Sequence, residues 1–326
     1  MIYKPLVSII IPTYNEKEDV RLSLNAAIKF EYLNKEIIVV DDSTDETPDI
    51  VKEYEKYGVR LIRRNIRSNG CCGARNLGIL EAKGEIVVLL NADVFPLKDF
   101  IDKILSHYEN GADYVLVKSK VANPEYLFPR FIEAEGCYDY DGQNWIEWTE
   151  GFSCRRQAAL DIGLIPGNFP IPFCRDWLLG LKLRGKYRKV IDTSIVVPHI
   201  APKGTKEYWR IRENRGKFSA LFQFFIGTAD FNKVKKGANF SEVITKRPFY
   251  YLVLRTLAKH IKMVGWIIIF LPSLWECLKY TRCSPRKYRD IIPFWIAYVI
   301  AIFAFIKGEW KGYFEALKRR SDHQCP

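Results

Sequence analysis

The stretch VVLLNADVFP, Val87 to Pro96, is an apolar run that stops at Asn91-Ala92-Asp93. An unbroken Val/Leu run closed by polar residues reads as a strand buried on both faces. The polar pair is then delivered to a strand end. VSIIIP (Val7–Pro12) does the same for Thr13, Tyr14, Asn15 and Glu16, and EIIVVD (Glu36–Asp41) for Asp42, Ser43, Thr44 and Asp45. The opening run belongs to a strand predicted at Glu85–Leu90, with a short strand at Arg60–Arg63 and a further one at Tyr114–Lys118. Helices are predicted at Asp19–Lys29, Leu97–Tyr108 and Thr47–Tyr57, the last with Pro48 in its first turn. Strands alternating with amphipathic helices make an α/β fold whose central sheet is mostly parallel and covered on both faces. In such sheets the ligand sits beyond the C-terminal strand ends, where these polar clusters lie.

The chain has 326 residues, 48% of them apolar, which excludes a disordered chain and allows one large domain or two ordinary ones. Its net charge of +12 is unevenly placed. Residues 201–326 hold 24 Lys and Arg against 9 Asp and Glu, whereas residues 1–200 hold 26 against 29. The basic part also contains the longest apolar runs, Met263–Leu274 and Ile291–Ile306. Basic charge beside apolar runs fits an anionic membrane surface and argues against nucleic acid as a partner. None of the eight cysteines forms a C-x-x-C pair, so a zinc site is not expected. Free buried thiols are the plain expectation, with disulfides as the alternative. Met1-Ile2-Tyr3-Lys4-Pro5 leads straight into a strand without a leader pattern, so the catalytic part is expected in the cytoplasm.

A further cluster, NGCCGARNLGI (Asn69–Ile79), completes the set of motifs. With VSIIIPTYNE, EIIVVDDSTDET and VVLLNADV, then TEGFSCRRQAALDIG, RDWLLGLKLRGKY and VVPHI, the chain resembles the family 2 glycosyltransferases over about residues 5–200. The resemblance implies the GT-A nucleotide-sugar-binding fold. It also implies inverting transfer of a sugar from a nucleotide-sugar donor, with a divalent cation, Mn²⁺ or Mg²⁺. Pro12, Thr13, Tyr14, Glu16, Asp41, Asp42, Gly73, Arg75, Asn91, Ala92 and Asp93 are the candidate donor-binding residues. Tyr14 would offer an aromatic face to the base. Asp41 would accept from a base N–H, and Arg75 would approach the base or the pyrophosphate. A plain ion pair of Arg75 with Asp41 or Asp42 is the alternative.

The family's pair at the fourth motif is Asp-x-Asp, and here it is Asn91 and Asp93. An amide still accepts a hydrogen bond from a ribose hydroxyl, while Asp93 keeps the charge that a cation needs. By resemblance His199 completes the metal site; otherwise it is a core histidine. Asp176, the retained acid of a family Glu-Asp pair now preceded by Arg175, is the candidate general base. A helix N-terminus would keep it ionised. Trp148 and Trp177, with Trp145, are candidate acceptor platforms. Arg212 and Arg215, three apart on a predicted helix Lys206–Phe225, are candidates for the departing diphosphate.

The expected organisation is a GT-A catalytic domain over 1–228 and a C-terminal helical membrane-association region over 229–326. A basic connector, Lys279–Asp290, argues for helices lying in the membrane plane or re-entering it, with a spanning hairpin as the alternative. The function expected is hexose transfer, mannose favoured, from GDP-mannose or a UDP-hexose to a hydroxyl of a lipid-linked glycan at the cytoplasmic side of the cell membrane. A polyprenyl-phosphate sugar synthase and a non-catalytic nucleotide-sugar-binding membrane protein are the alternatives.

Overall fold

The computed structural model describes residues 4–64, 69–139, 150–165, 176–225 and 273–322. They form two compact units. The first holds a seven-stranded sheet of order β3-β2-β1-β4-β6-β5-β7. Its strands are β1 (Val7–Thr13), β2 (Lys35–Asp41), β3 (Val59–Arg63), β4 (Ile86–Leu89), β5 (Tyr114–Val121), β6 (Phe152–Arg155) and β7 (Lys189–His199). Strands β1 to β4 are all parallel. The expectation of a largely parallel sheet holds, with one strand reversed: β6 runs antiparallel to both β4 and β5. FSCR, the short β6, is too brief to announce itself by periodicity.

One sheet face is covered by α1 (Val20–Ile28), α2 (Thr47–Lys52) and α4 (Phe100–Glu109). The other is covered by α3 (Gly70–Glu81), α6 (Arg156–Asp161) and α7 (Asp176–Arg184). Two-sided burial explains the unbroken apolar runs: all seven residues of β1 and all four of β4 are buried. Close approach of helix to strand depends on Gly78 of α3, where an added Cβ would run into Ile10 of β1. Expected strands and helices match within a few residues, except that Thr47–Tyr57 breaks into α2 and a 3-10 turn at Glu55–Tyr57.

The second unit contains α5 (Leu127–Asp139), α8 (Thr205–Phe225), a helical stretch at 273–281 (α9) and the 32-residue α10 (Ile291–Asp322). Helix α8, expected to belong with the catalytic domain, clusters here with the C-terminal helices. The expected boundary at 228/229 and most of Met263–Leu274 lie outside the described residues. Ile291–Ile306 is the first half of α10, and Pro293 sits in its first turn, where a missing N–H is harmless.

Helix α10 has two opposite faces. Phe294, Ala297, Ala301, Ala304, Gly308, Gly312 and Ala316 are buried. They form a seam of mostly small residues on which α8 lies parallel and close. An added Cβ at Gly308 would enter the Glu213 carbonyl, and one at Gly216 the Phe305 carbonyl. Ile292, Ile296, Val299, Phe303, Ile306, Trp310, Phe314 and Leu317 fall in a stripe about 80° wide on the other side, by the 3.6-residue turn. Buried ion pairs lock the unit. Arg130 grips Asp290 through Nε at 2.8 Å and Nη2 at 2.9 Å, and Arg212 grips Glu135 at 3.0 and 2.5 Å. Gly308→Val should force α8 and α10 apart and cost about 1–3 kcal/mol, read as a lower denaturant midpoint with an unchanged slope.

Candidate active site

At the C-terminal ends of β1, β2 and β4 lies a cleft of about 260 Å³. It is lined by Pro12, Thr13, Tyr14, Glu16, Asp42, Cys71, Arg75, Asn91, Ala92 and Asp93. Nine of these are candidates named from the sequence. β1 ends in Pro12 and Thr13 and turns at Asn15, whose positive φ of 57° an asparagine tolerates. That turn is tied to the β2 end: Ser43 Oγ accepts from Asn15 N (2.8 Å), and Asn15 Oδ1 accepts from Thr44 N (2.9 Å). Thr47 Oγ1 accepts from Glu16 N at 2.9 Å, fixing the start of the next segment. Asn69 and Gly70 both take positive φ where α3 begins, bringing Cys71 and Arg75 to the cleft.

Asp41 and Gly73 are not in the cleft lining. Asp41 has no exposed surface. Its carboxylate accepts from Thr13 Oγ1 (2.5 Å), Ser43 Oγ (2.6 Å), Ser43 N (3.1 Å) and the Arg63 guanidinium. A carboxylate so engaged holds the ends of three strands together. The base-reading role expected of it is corrected accordingly: its oxygens are taken up inside the wall. Asp42 does line the cleft, backed by Arg64, whose Nε donates to Asp42 Oδ1 at 2.6 Å. Asp41 is paired with Arg63 and Asp42 with Arg64. Arg75, buried among its neighbours, donates through Nη2 to Asn91 Oδ1 at 2.8 Å.

The cleft brings a guanidinium and a carboxyl to one space. Asn91, an amide, bonds Arg75 without adding a charge of its own. Burial, with Glu150, Glu16 and Asp19 nearby, pushes the Asp93 carboxyl up to about 7. Glu150 comes from the turn before β6, where Gly151 N donates to Leu89 O at 3.1 Å and Gly151 takes φ 76°. Asp93 and His199 are on adjacent backbone: Ile200 N donates to Asp93 O at 3.0 Å, and Val94 is bridged to His199. The imidazole Nδ1 is 2.8 Å from Ser119 Oγ. Among the described residues no group of three His, Cys, Asp or Glu side chains is placed to hold a metal ion.

Asp176 and Trp177 open α7, and their side chains lie outside what the structure describes. Trp145, Trp148 and Arg175 lie outside the described residues altogether. Arg212 is a correction. It is buried in its bidentate pair with Glu135 and stacked over Tyr208 and Phe131, so its fork is occupied as a strut of the second unit. Arg215 is exposed on α8.

A model of glycosyl transferase family 2 matches residues 8–165. The Escherichia coli UDP-Glc:alpha-D-GlcNAc-diphosphoundecaprenol beta-1,3-glucosyltransferase WfaP is 39% identical over 201 residues, covering 59% of this chain and 75% of that protein. The chain belongs to glycosyl transferase family 2. The dolichol-phosphate mannosyltransferase of Pyrococcus furiosus is 32% identical over 201 residues, 57% of this chain. Of that relative the chain spans about half the length, 54%. Among solved structures the fold is similar to mannosyltransferase PcManGT from Pyrobaculum calidifontis in complex with GDP-Man and Mn²⁺. The TM-score is 0.62 over 95% of this chain and 88% of that one, at 19% identity. This likeness makes the fold GT-A.

Does the family 2 site fit a divalent cation? A carboxyl raised by burial and by neighbouring acids is the electrostatic state that a cation relieves. Among the described residues no three-residue ligand group is present, so the donor set fits a hard ion that takes the rest of its shell from elsewhere rather than a closed metal centre. The sign of the pH effect follows. In the metal-free chain Asp93 holds its proton to about pH 7, whereas unfolded it loses it near 4. It therefore lowers stability as pH rises through that window and is neutral below it. In chelator, Asp93→Asn should raise the melting temperature by a few degrees at pH 8 and hardly at all at pH 4. An equal rise at both would contradict this charge balance. Asp41→Ala, by contrast, should cost about 3 kcal/mol or more at neutral pH, because it strands Arg63 and the strand-end hydroxyls; a urea melt reads this directly.

Proposed function

We propose that this family 2 member is an inverting hexosyltransferase at the cytoplasmic side of the cell membrane. It moves a sugar, mannose favoured, from GDP-mannose or a UDP-hexose to a hydroxyl of a lipid-linked glycan. The observation that carries the proposal is the cleft at the strand ends, where Tyr14, Arg75, Asn91 and Asp93 line one space. A nucleoside diphosphate-sugar has the matching chemistry, an aromatic base for Tyr14, ribose hydroxyls for Asn91 and an anionic diphosphate. A divalent cation bound at Asp93, with His199 as its neighbour across the strand pairing, would neutralise the diphosphate as it leaves.

The acceptor oxygen attacks the anomeric carbon from the face opposite the diphosphate. The new C–O bond forms as the bond to the diphosphate oxygen breaks, and the acceptor proton passes to Asp176. A carboxylate at the start of α7 is favoured in its ionised form by the helix N-terminus, as a base requires. A hydroxyl acceptor needs such a base, whereas an ionised polyprenyl phosphate does not. The likeness to a dolichol-phosphate mannosyltransferase supports that second acceptor class.

A panel of radiolabelled nucleotide sugars, incubated with membrane lipid extract, should yield one labelled lipid product. Asp176→Asn should lower kcat by about 10²–10⁴ with donor affinity kept. A near-normal rate would favour the phosphate acceptor. Asp93→Ala should abolish Mn²⁺-stimulated donor hydrolysis, and a protein that never hydrolyses any donor would be a binding module instead.

A further inference from the structure

We infer that α10 is a monotopic docking surface for an anionic lipid bilayer, lying in the membrane plane with its stripe of large apolar side chains against the lipid. The inference rests on the membrane association proposed above and adds how the chain meets the membrane.

By length and composition alone, Lys287–Lys318 could cross a bilayer. Its packing says otherwise. Helix α8 runs parallel along the small-residue face: Tyr208 Oη donates to Ala297 O at 3.3 Å, and Gly312 meets Lys217 and Ala220 further along. Lys206, Glu207 and Arg210, all exposed, therefore lie level with the apolar first half of α10. Were α10 to span, these charges would be carried into hydrocarbon, where charged side chains survive only inside a bundle or a wet cavity. Further along, Glu213 pairs with Lys311 and Lys217 with Glu315. A polar flank of this kind along the whole helix belongs in water or at headgroups.

The opposite face is built for a surface. Ile292 is 59% exposed and Phe314 61%, with Ile296, Trp310 and Leu317 also open. Trp275 of α9 is 66% exposed. Exposed bases flank the stripe: Arg282, Arg286, Lys287 and Arg289 before it, and Lys307, Lys311 and Lys318 beside its second half. Apolar side chains at acyl depth with Lys and Arg at the headgroups are the composition of an in-plane helix. The positive charge selects an anionic bilayer over an uncharged protein face. A second copy of this chain would bring the same bases together.

Two single-cysteine additions test this in the full chain, Phe314→Cys on the stripe and Lys206→Cys on α8. Each carries an environment-sensitive fluorophore, and its signal is measured above that of the equally treated parent chain. With vesicles of phosphatidylcholine, phosphatidylglycerol and a spin-labelled phosphatidylcholine, the probe at 314 should be quenched at least about twofold and the probe at 206 should not. Quenching at both sites alike would mean that α10 spans with α8 beside it, and would overturn the inference. Quenching at neither would mean that the stripe is covered by protein, and would overturn it too. Because no turnover is read, a chain that fails to transfer sugar can still pass or fail this test.

Discussion

The carboxylate of Asp41 is wholly buried, and the cleft end of the sheet is organised around it. It accepts from Thr13 of β1, from Ser43 just beyond β2 and from Arg63 of β3. Those contacts tie three adjacent strand ends to one charge. A buried carboxylate is tolerable only when its oxygens are satisfied and its charge is paired. Both conditions are met here, and the cost of disturbing any partner is what makes the cleft wall rigid. Thr13, Tyr14 and Asp42 are then presented to a ligand from a scaffold with little freedom to move, as pre-organised binding requires.

Elsewhere in the cleft a carboxyl sits in a different setting. Arg63 and Arg64 answer Asp41 and Asp42, whereas burial first, and then the nearby Glu150, Glu16 and Asp19, lift the Asp93 carboxyl to about 7. That setting is a property of topology. Reversed strand β6 sets Glu150 beside the end of β4, while the turn after β1 supplies Glu16. Asn91 fits this arrangement in a way that a second aspartate would not. An aspartate at 91 would add one more repelling charge near Asp93. The amide keeps the hydrogen bond to Arg75 without adding that charge.

Much of this was legible in the sequence because strand ends in a parallel sheet are where polar residues interrupt apolar runs. Three such interruptions and the glycine-rich start of α3 point to one cleft, and nine of its ten lining residues are among the candidates. What stayed hidden depends on partners distant in sequence. Nothing in EIIVVDD says that Asp41 faces inward and Asp42 outward; that follows from Arg63 and Arg64 closing β3 opposite them, a doubled arginine facing a doubled aspartate. Glu150 stands alone before a short strand whose antiparallel pairing no local pattern reveals. Cys71 carries no signal of its own in NGCCGARNLGI, where the start of α3 turns it to the cleft. Arg212 was misplaced for the opposite reason. Its spacing from Arg215 was right for a shared helix face, but its partner Glu135 lies 77 positions earlier, on a helix that was not anticipated.

The same limit governs the basic, apolar C-terminal part. Hydropathy along one segment measures only what that segment tolerates, and α10 would tolerate lipid on every side. Which sides meet lipid is decided by the neighbour. Gly216, Gly308 and Gly312 let α8 approach until backbone meets backbone, and that contact carries the charges of α8 along the apolar half of α10. A helix bound on one side to a charged companion has one face left for a membrane, and a single apolar face is satisfied by lying on the bilayer rather than by crossing it.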